Sequence, residues 1–176
     1  MKVFVIKLTR ETLILIPLQS TIRAYIQDPG EFDFIVRLDI QGKEVGIYVI
    51  KRPFLDEFLE SMSNLFEIGV FTASLEEYAN KVIQQIDPNG HIQWALYRDS
   101  CSLFERSTVK DLEFLPRQLD RTVIIDDRST SFMFQPSNGI ECVPFEGNLE
   151  DTELRSLQES LYRLSQIDGD LRKVIR

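Results

Sequence analysis

A chain of 176 residues, 43% of them apolar, is long enough to bury one full core and is near the usual size of one domain. Its formal net charge of −8 argues against nucleic acid as the partner, because phosphate binding needs a cationic face. No apolar stretch approaches the roughly 20 residues of a membrane span, so no membrane insertion is expected.

In chain order, the first apolar run is Val3-Phe4-Val5-Ile6, read as strand one. It begins almost at Met1, leaving no room for a transit peptide, and runs into Lys7-Leu8-Thr9-Arg10-Glu11-Thr12. Two strand-forming runs, 34–40 and 45–50, flank Gln41-Gly42-Lys43, a hairpin signal. Pro53 suits a first helical turn, and Phe54, Leu55, Phe58, Leu59 and Met62 recur at helical spacing over 53–63. The run 67–71 predicts a strand leading into Ser74-Leu75-Glu76-Glu77, where Ser74 can cap a helix and Glu77 complete a capping box. That helix should reach Ile86 and end at Asp87-Pro88-Asn89-Gly90.

Residues 92–109 are short-patterned and rich in strand formers, and are read as a small β insertion. A helical turn at 111–115 and a buried strand at 123–125 follow. Leu154, Leu157, Leu161, Leu164 and Ile167 put one apolar stripe on a helix over 152–166. Strands alternating with amphipathic helices predict one α/β domain over 1–176, with helices flanking a central parallel sheet. Cys101 and Cys142 fit neither a metal cluster nor a disulfide framework and read as reduced thiols of a nuclear or cytoplasmic protein.

In an open parallel sheet the carboxyl ends of the strands gather along one edge. Thr72-Ala73-Ser74 and Asp126-Asp127 would meet there, with a first strand that lacks aspartate. Five motifs carry a family resemblance: Tyr48-Val-Ile-Lys-Arg-Pro53, Phe71-Thr-Ala-Ser-Leu75, Tyr97-Arg-Asp-Ser-Cys101, Val109-Lys-Asp-Leu112 and Ile124-Ile-Asp-Asp127. In order and approximate spacing the chain resembles the small phosphatases acting on the C-terminal domain of RNA polymerase II, which belong to the haloacid dehalogenase superfamily. The same domain type occurs in a mitochondrial presequence-translocase subunit.

The resemblance implies a Rossmann-like sheet with a β-hairpin after strand one. It also implies a first motif, Asp-x-Asp-x-Thr, at the end of that strand. The first Asp attacks phosphorus and the second serves as acid and base. Mg²⁺ neutralises the transferring group. By the same resemblance Thr72, Lys110 and Arg98 would hold phosphate, Leu75 and Tyr78 would pack against substrate peptide, and Asp126 and Asp127 remain as metal positions.

The first motif departs from the pattern. Aligning on Thr12-Leu13 puts Leu8 and Arg10 at the two aspartates, whereas aligning on strand one puts Lys7 and Thr9 there. Glu11 is too long and displaced to substitute, so no catalytic residue is expected. Lys7 is read as a tethered replacement for the metal, no cofactor is expected, and Mg²⁺ returns only if an active reading holds.

Plainer roles stand beside these. Thr72 could begin a helix, Lys110 could be a structural partner for Asp126, Arg98 could pair with an acid, and Asp126-Asp127 could be solvated loop carboxylates. His91 reads as exposed, and Trp94 as core. The preferred function is an inactive phosphatase-like module that binds a protein partner, with a phosphorylated segment as candidate ligand. The alternative is an active Mg²⁺-dependent phosphoserine/phosphothreonine protein phosphatase with a divergent first motif.

Overall fold

A computed structural model describes residues 12–175. Its centre is a five-stranded parallel sheet in the order β10-β9-β1-β5-β6. The strands are β1 (Leu13–Ile16), β5 (Glu67–Phe71), β6 (Ile92–Leu96), β9 (Thr122–Asp126) and β10 (Gly139–Glu141). A second sheet, β2-β4-β3, joins β2 (Ile22–Tyr25) to the expected hairpin of β3 (Phe34–Ile40) and β4 (Lys43–Lys51). Three helices complete the frame: α1 (Leu55–Ser63), α2 (Glu76–Ile86) and α3 (Glu153–Ser165).

Side chains alternate across the central strands and so build two cores. Ile14, Ile16, Ile68, Val70, Val123 and Ile125 face the buried stripes of all three helices. Leu13, Leu15, Phe71 and Ile124 face the other way, against Leu112 and Phe132 of two short 3-10 turns. Burial of each large apolar side chain in α1, such as Phe58 and Leu59, contributes about 1.5–3 kcal/mol, enough to hold a nine-residue helix that is marginal alone.

Four expectations are corrected. The strand between β5 and β9 is Leu13–Ile16, not the run 3–6, which lies outside the described residues together with Lys7, Leu8, Thr9, Arg10 and Glu11. Residues 92–96 are not part of an insertion but an edge strand paired parallel to β5. Gly69 makes that pairing possible, because a Cβ there would lie 2.7 Å from the Trp94 ring. Only the hairpin of β7 (Ser102–Phe104) and β8 (Ser107–Val109) is inserted. Finally, α2 is preceded by Leu75 with no side-chain cap, and the Ser74 N–H is instead accepted by Thr72 Oγ1 at 3.1 Å. His91, expected to be exposed, is half-buried, with Nδ1 3.0 Å from Ser63 Oγ.

Candidate functional site

The carboxyl ends of β1, β5 and β9 open on one edge, the place where open α/β sheets bind ligands. β1 is followed by Pro17 and the 3-10 turn Leu18–Ser20. Against the Asp-x-Asp-x-Thr pattern, the strand end now reads Pro17-Leu18-Gln19-Ser20-Thr21, with Thr21 at the threonine position. Pro17 and Gln19 therefore stand at the two aspartate positions, Pro17 buried and Gln19 exposed. Their neighbours Ile16 and Leu18 are packed into the helical core.

The turn 18–20 ties the strand ends together. Gln19 accepts from Thr72 Oγ1 at 3.4 Å and donates to Ser74 Oγ at 3.3 Å. Ser20 Oγ donates to Asp127 Oδ1 at 3.4 Å. From below, Arg52 Nη1 donates to the Ser20 carbonyl at 3.1 Å. The Arg52 guanidinium is itself clamped by two 2.8 Å bonds to Asp151 and lies 5.4 Å from the centre of the Phe145 ring. Arg52, in the Tyr48–Pro53 motif, thus holds the loop where the first motif would lie.

Lys110 follows β8, and its backbone N–H donates to the Ser131 carbonyl at 2.7 Å. Its ammonium forms a buried ion pair with Asp126 Oδ2. The other Asp126 oxygen accepts the Arg128 N–H at 3.0 Å. Burial pushes the Lys110 ammonium below its ordinary range, and the Asp126 charge opposes that fall. Burial and the neighbouring Asp126 carboxyl hold the Asp127 carboxyl above the usual range. Lys110 is thereby the partner of Asp126, the plainer of its two expected roles.

Thr72 is fully buried and its Oγ1 begins the turn into α2, whereas Arg98 is exposed and donates through Nε to the Ala73 carbonyl at 2.7 Å rather than to an acid. Leu75 is 61% exposed and Tyr78 half-buried, its phenol pushed up by burial. A cavity of about 420 Å³ lies at this edge, and Leu18, Arg23, Ser74, Tyr78, Asp127 and Arg128 help to line it. Arg23 pairs across the mouth with the exposed Glu146 at 3.0 Å. Sequence reasoning missed Pro17, Gln19, Arg23, Arg52 and Arg128. The signal for the first two was Leu13-Ile-Leu-Ile16 followed by Thr21, a second apolar run with a threonine at the spacing of the pattern.

Mg²⁺ requires a near-octahedral shell of hard oxygen ligands. Here a proline stands at one ligand position, and both oxygens of Asp126 are engaged, one by a cation. Among the described residues no group of three or more His, Cys, Asp or Glu could hold a metal. The donor set does not fit the ion.

A family model described as NLI interacting factor-like phosphatase matches residues 11–172. The chain is 37% identical over 158 residues to the human carboxy-terminal domain RNA polymerase II polypeptide A small phosphatase 1, covering 90% of this chain and 60% of that one. It is 44% identical over 133 residues to CTD small phosphatase-like protein 2 of Dictyostelium discoideum, covering 76% of this chain and 23% of that one. In fold it is similar to the fission yeast RNA polymerase II CTD phosphatase Fcp1 bound to beryllium fluoride, with a TM-score of 0.78 at 18% identity, covering 95% of this chain and 70% of that one. The match runs through the sheet, the hairpin and α3, and the chain belongs to the NLI interacting factor-like phosphatase family.

Proposed function

We propose that this domain binds a protein segment at the carboxyl edge of its sheet and does not turn over a phosphoester. The observation that carries the reading is the pair Pro17 and Gln19, side chains without a carboxylate where phosphoryl transfer needs a nucleophile and an acid. A prolyl ring accepts no phosphoryl group, and a carboxamide neither gives up nor takes a proton near neutral pH. Losing both roles removes parts that act as one unit.

Binding survives that loss. Thr72 and Lys110 are closed off by burial, so among the described residues the cations within a ligand's reach are Arg98 beside the crevice and Arg23 and Arg128 in its cavity. Guanidinium groups suit a phosphorylated or acidic side chain, which they grip through paired N–H donors. Leu75, exposed beside Tyr78, offers apolar contact for the flanking residues of such a segment. By analogy with relatives named for the RNA polymerase II C-terminal domain, the ligand is a segment of a phosphoprotein and the location nuclear.

The names of those relatives favour one other reading, an active phosphatase. Fluorescence anisotropy with a serine-phosphorylated peptide, run beside a phosphate-release assay, separates the two. Saturable binding without phosphate release supports the proposal, and release on the time scale of binding refutes it.

A further inference from the structure

We infer that the groove between α1 and α3 is the contact face of a two-fold dimer, its occupant a second copy of this chain. A cavity of about 730 Å³ lies between the two helices, and none of its lining residues belongs to the crevice at the carboxyl edge. Its lining includes the buried Met62 and the half-buried Leu65, and beside them Tyr162 is 57% exposed.

Charge selects the occupant. Glu57, Glu159, Arg155 and Arg163 line the same groove, and among the described residues none of the four enters an ion pair within its own chain. Two acids and two guanidiniums leave the groove without net charge on a chain whose formal net charge is −8. A strongly basic or acidic partner would meet as much repulsion as attraction there. Two copies of an acidic chain repel each other over most of their surfaces, and a neutral face of mixed sign is where they approach at least cost.

The charges on α3 are also self-complementary. Glu159 and Arg163 lie one helical turn apart, with Tyr162 next to Arg163. In a two-fold contact residue i meets residue j and j meets i, so two α3 helices crossing antiparallel between these positions set Glu159 of each copy against Arg163 of the other. Tyr162 then falls near the centre of the contact, where aromatic side chains serve as anchors. Arg155 is held in advance, its guanidinium carbon 3.7 Å from the centre of the Phe54 ring, so little freedom is lost when it is covered.

Sedimentation velocity over a dilution series, from low to high micromolar, tests this. Wild type should pass from monomer to dimer as concentration rises, and Tyr162→Ala should raise the dissociation constant by about tenfold or more. Glu159→Arg and Arg163→Glu should each stay monomeric where wild type dimerises, because each sets like charges across the two-fold axis. Mixed in equal amounts, the two variants should associate again, since each offers the charge that the other lacks. A wild type that remains monomeric throughout would overturn the inference, as would dimers that survive both reversals or variants that fail to associate when mixed. If a reversal does not fold, the wild-type series and Tyr162→Ala decide, and a Tyr162→Ala dimer as tight as wild type overturns the assignment. Phosphopeptide anisotropy of the reversals should match wild type, so a failure of the dimer leaves the preceding proposal standing.

Discussion

Replacing Asp151 with alanine should be among the most damaging single changes in the molecule, although the residue lies outside the crevice. The Arg52 side chain is 0% exposed, and Asp151 supplies both of its carboxylate bonds. Removing the acid leaves a buried guanidinium held by one carbonyl and one aromatic ring. Breaking such a pair from one side costs about 3–5 kcal/mol, a large share of the about 5–15 kcal/mol that holds a typical domain. At about 2–4 °C per kcal/mol for a chain of this size, Tm should fall by about 6–20 °C.

The pH dependence is specific. Burial raises the Asp151 carboxyl, but the Arg52 bonds, the Glu153 N–H and the Arg52 charge outweigh it and hold the carboxyl below its ordinary value. On acidification the unfolded chain therefore takes up this proton first. The contribution is complete above the unfolded value of about 3.9 and is lost as pH falls through the lower folded value. Urea denaturation of wild type and Asp151→Ala between pH 3 and 8 should show a gap that narrows only at the acid end. As a contrast, Asp56→Ala cuts the surface pair with Lys51 and should cost less than about 1 kcal/mol. A loss of under about 1 kcal/mol at pH 7 for Asp151→Ala would refute the reasoning, because the buried guanidinium would then need no partner.

Three further outcomes are expected. Gly69→Ala places a methyl group against the Trp94 ring and should destabilise by about 1–3 kcal/mol, with a shifted emission from the single tryptophan; unchanged emission and stability would show that the ring does not lie over that strand. Asp127→Asn should stabilise the protein at neutral pH, since a carboxyl raised by burial and by Asp126 is costly when charged, and the gain should shrink as pH falls through the raised folded value and be gone below the unfolded value of about 3.9; a variant less stable at pH 7 contradicts this. Arg128→Ala and Leu75→Ala should each weaken phosphopeptide anisotropy by several-fold with Tm within about 2 °C of wild type, both side chains being exposed; full affinity in both would move the binding surface elsewhere.

Much of the frame was legible in the chain. The Gln41-Gly42 turn, the α1 and α3 stripes and the five motifs each carry a local pattern, and local patterns are what sequence reasoning reads. The central strand was not legible in that way. A strand buried on both faces loses its alternation, so Val3-Phe-Val-Ile6 and Leu13-Ile-Leu-Ile16 look alike, and choosing the first shifted the motif positions by the distance between them. The edge strand β6 misled for the opposite reason: Gln93 and the half-buried Trp94 broke the apolar run. Arg52 and Asp151 are 99 positions apart, and nothing near either announces the pair. Lys110 was named in advance with both of its roles, and only its place beside Asp126 distinguishes them.

The central claim is that the end of β1 offers no group able to accept a phosphoryl transfer. Its most direct test is steady-state phosphate release from a serine-phosphorylated peptide in Mg²⁺, for wild type and Asp126→Asn side by side. The account predicts two traces indistinguishable from buffer; release by the wild type that Asp126→Asn abolishes would contradict it.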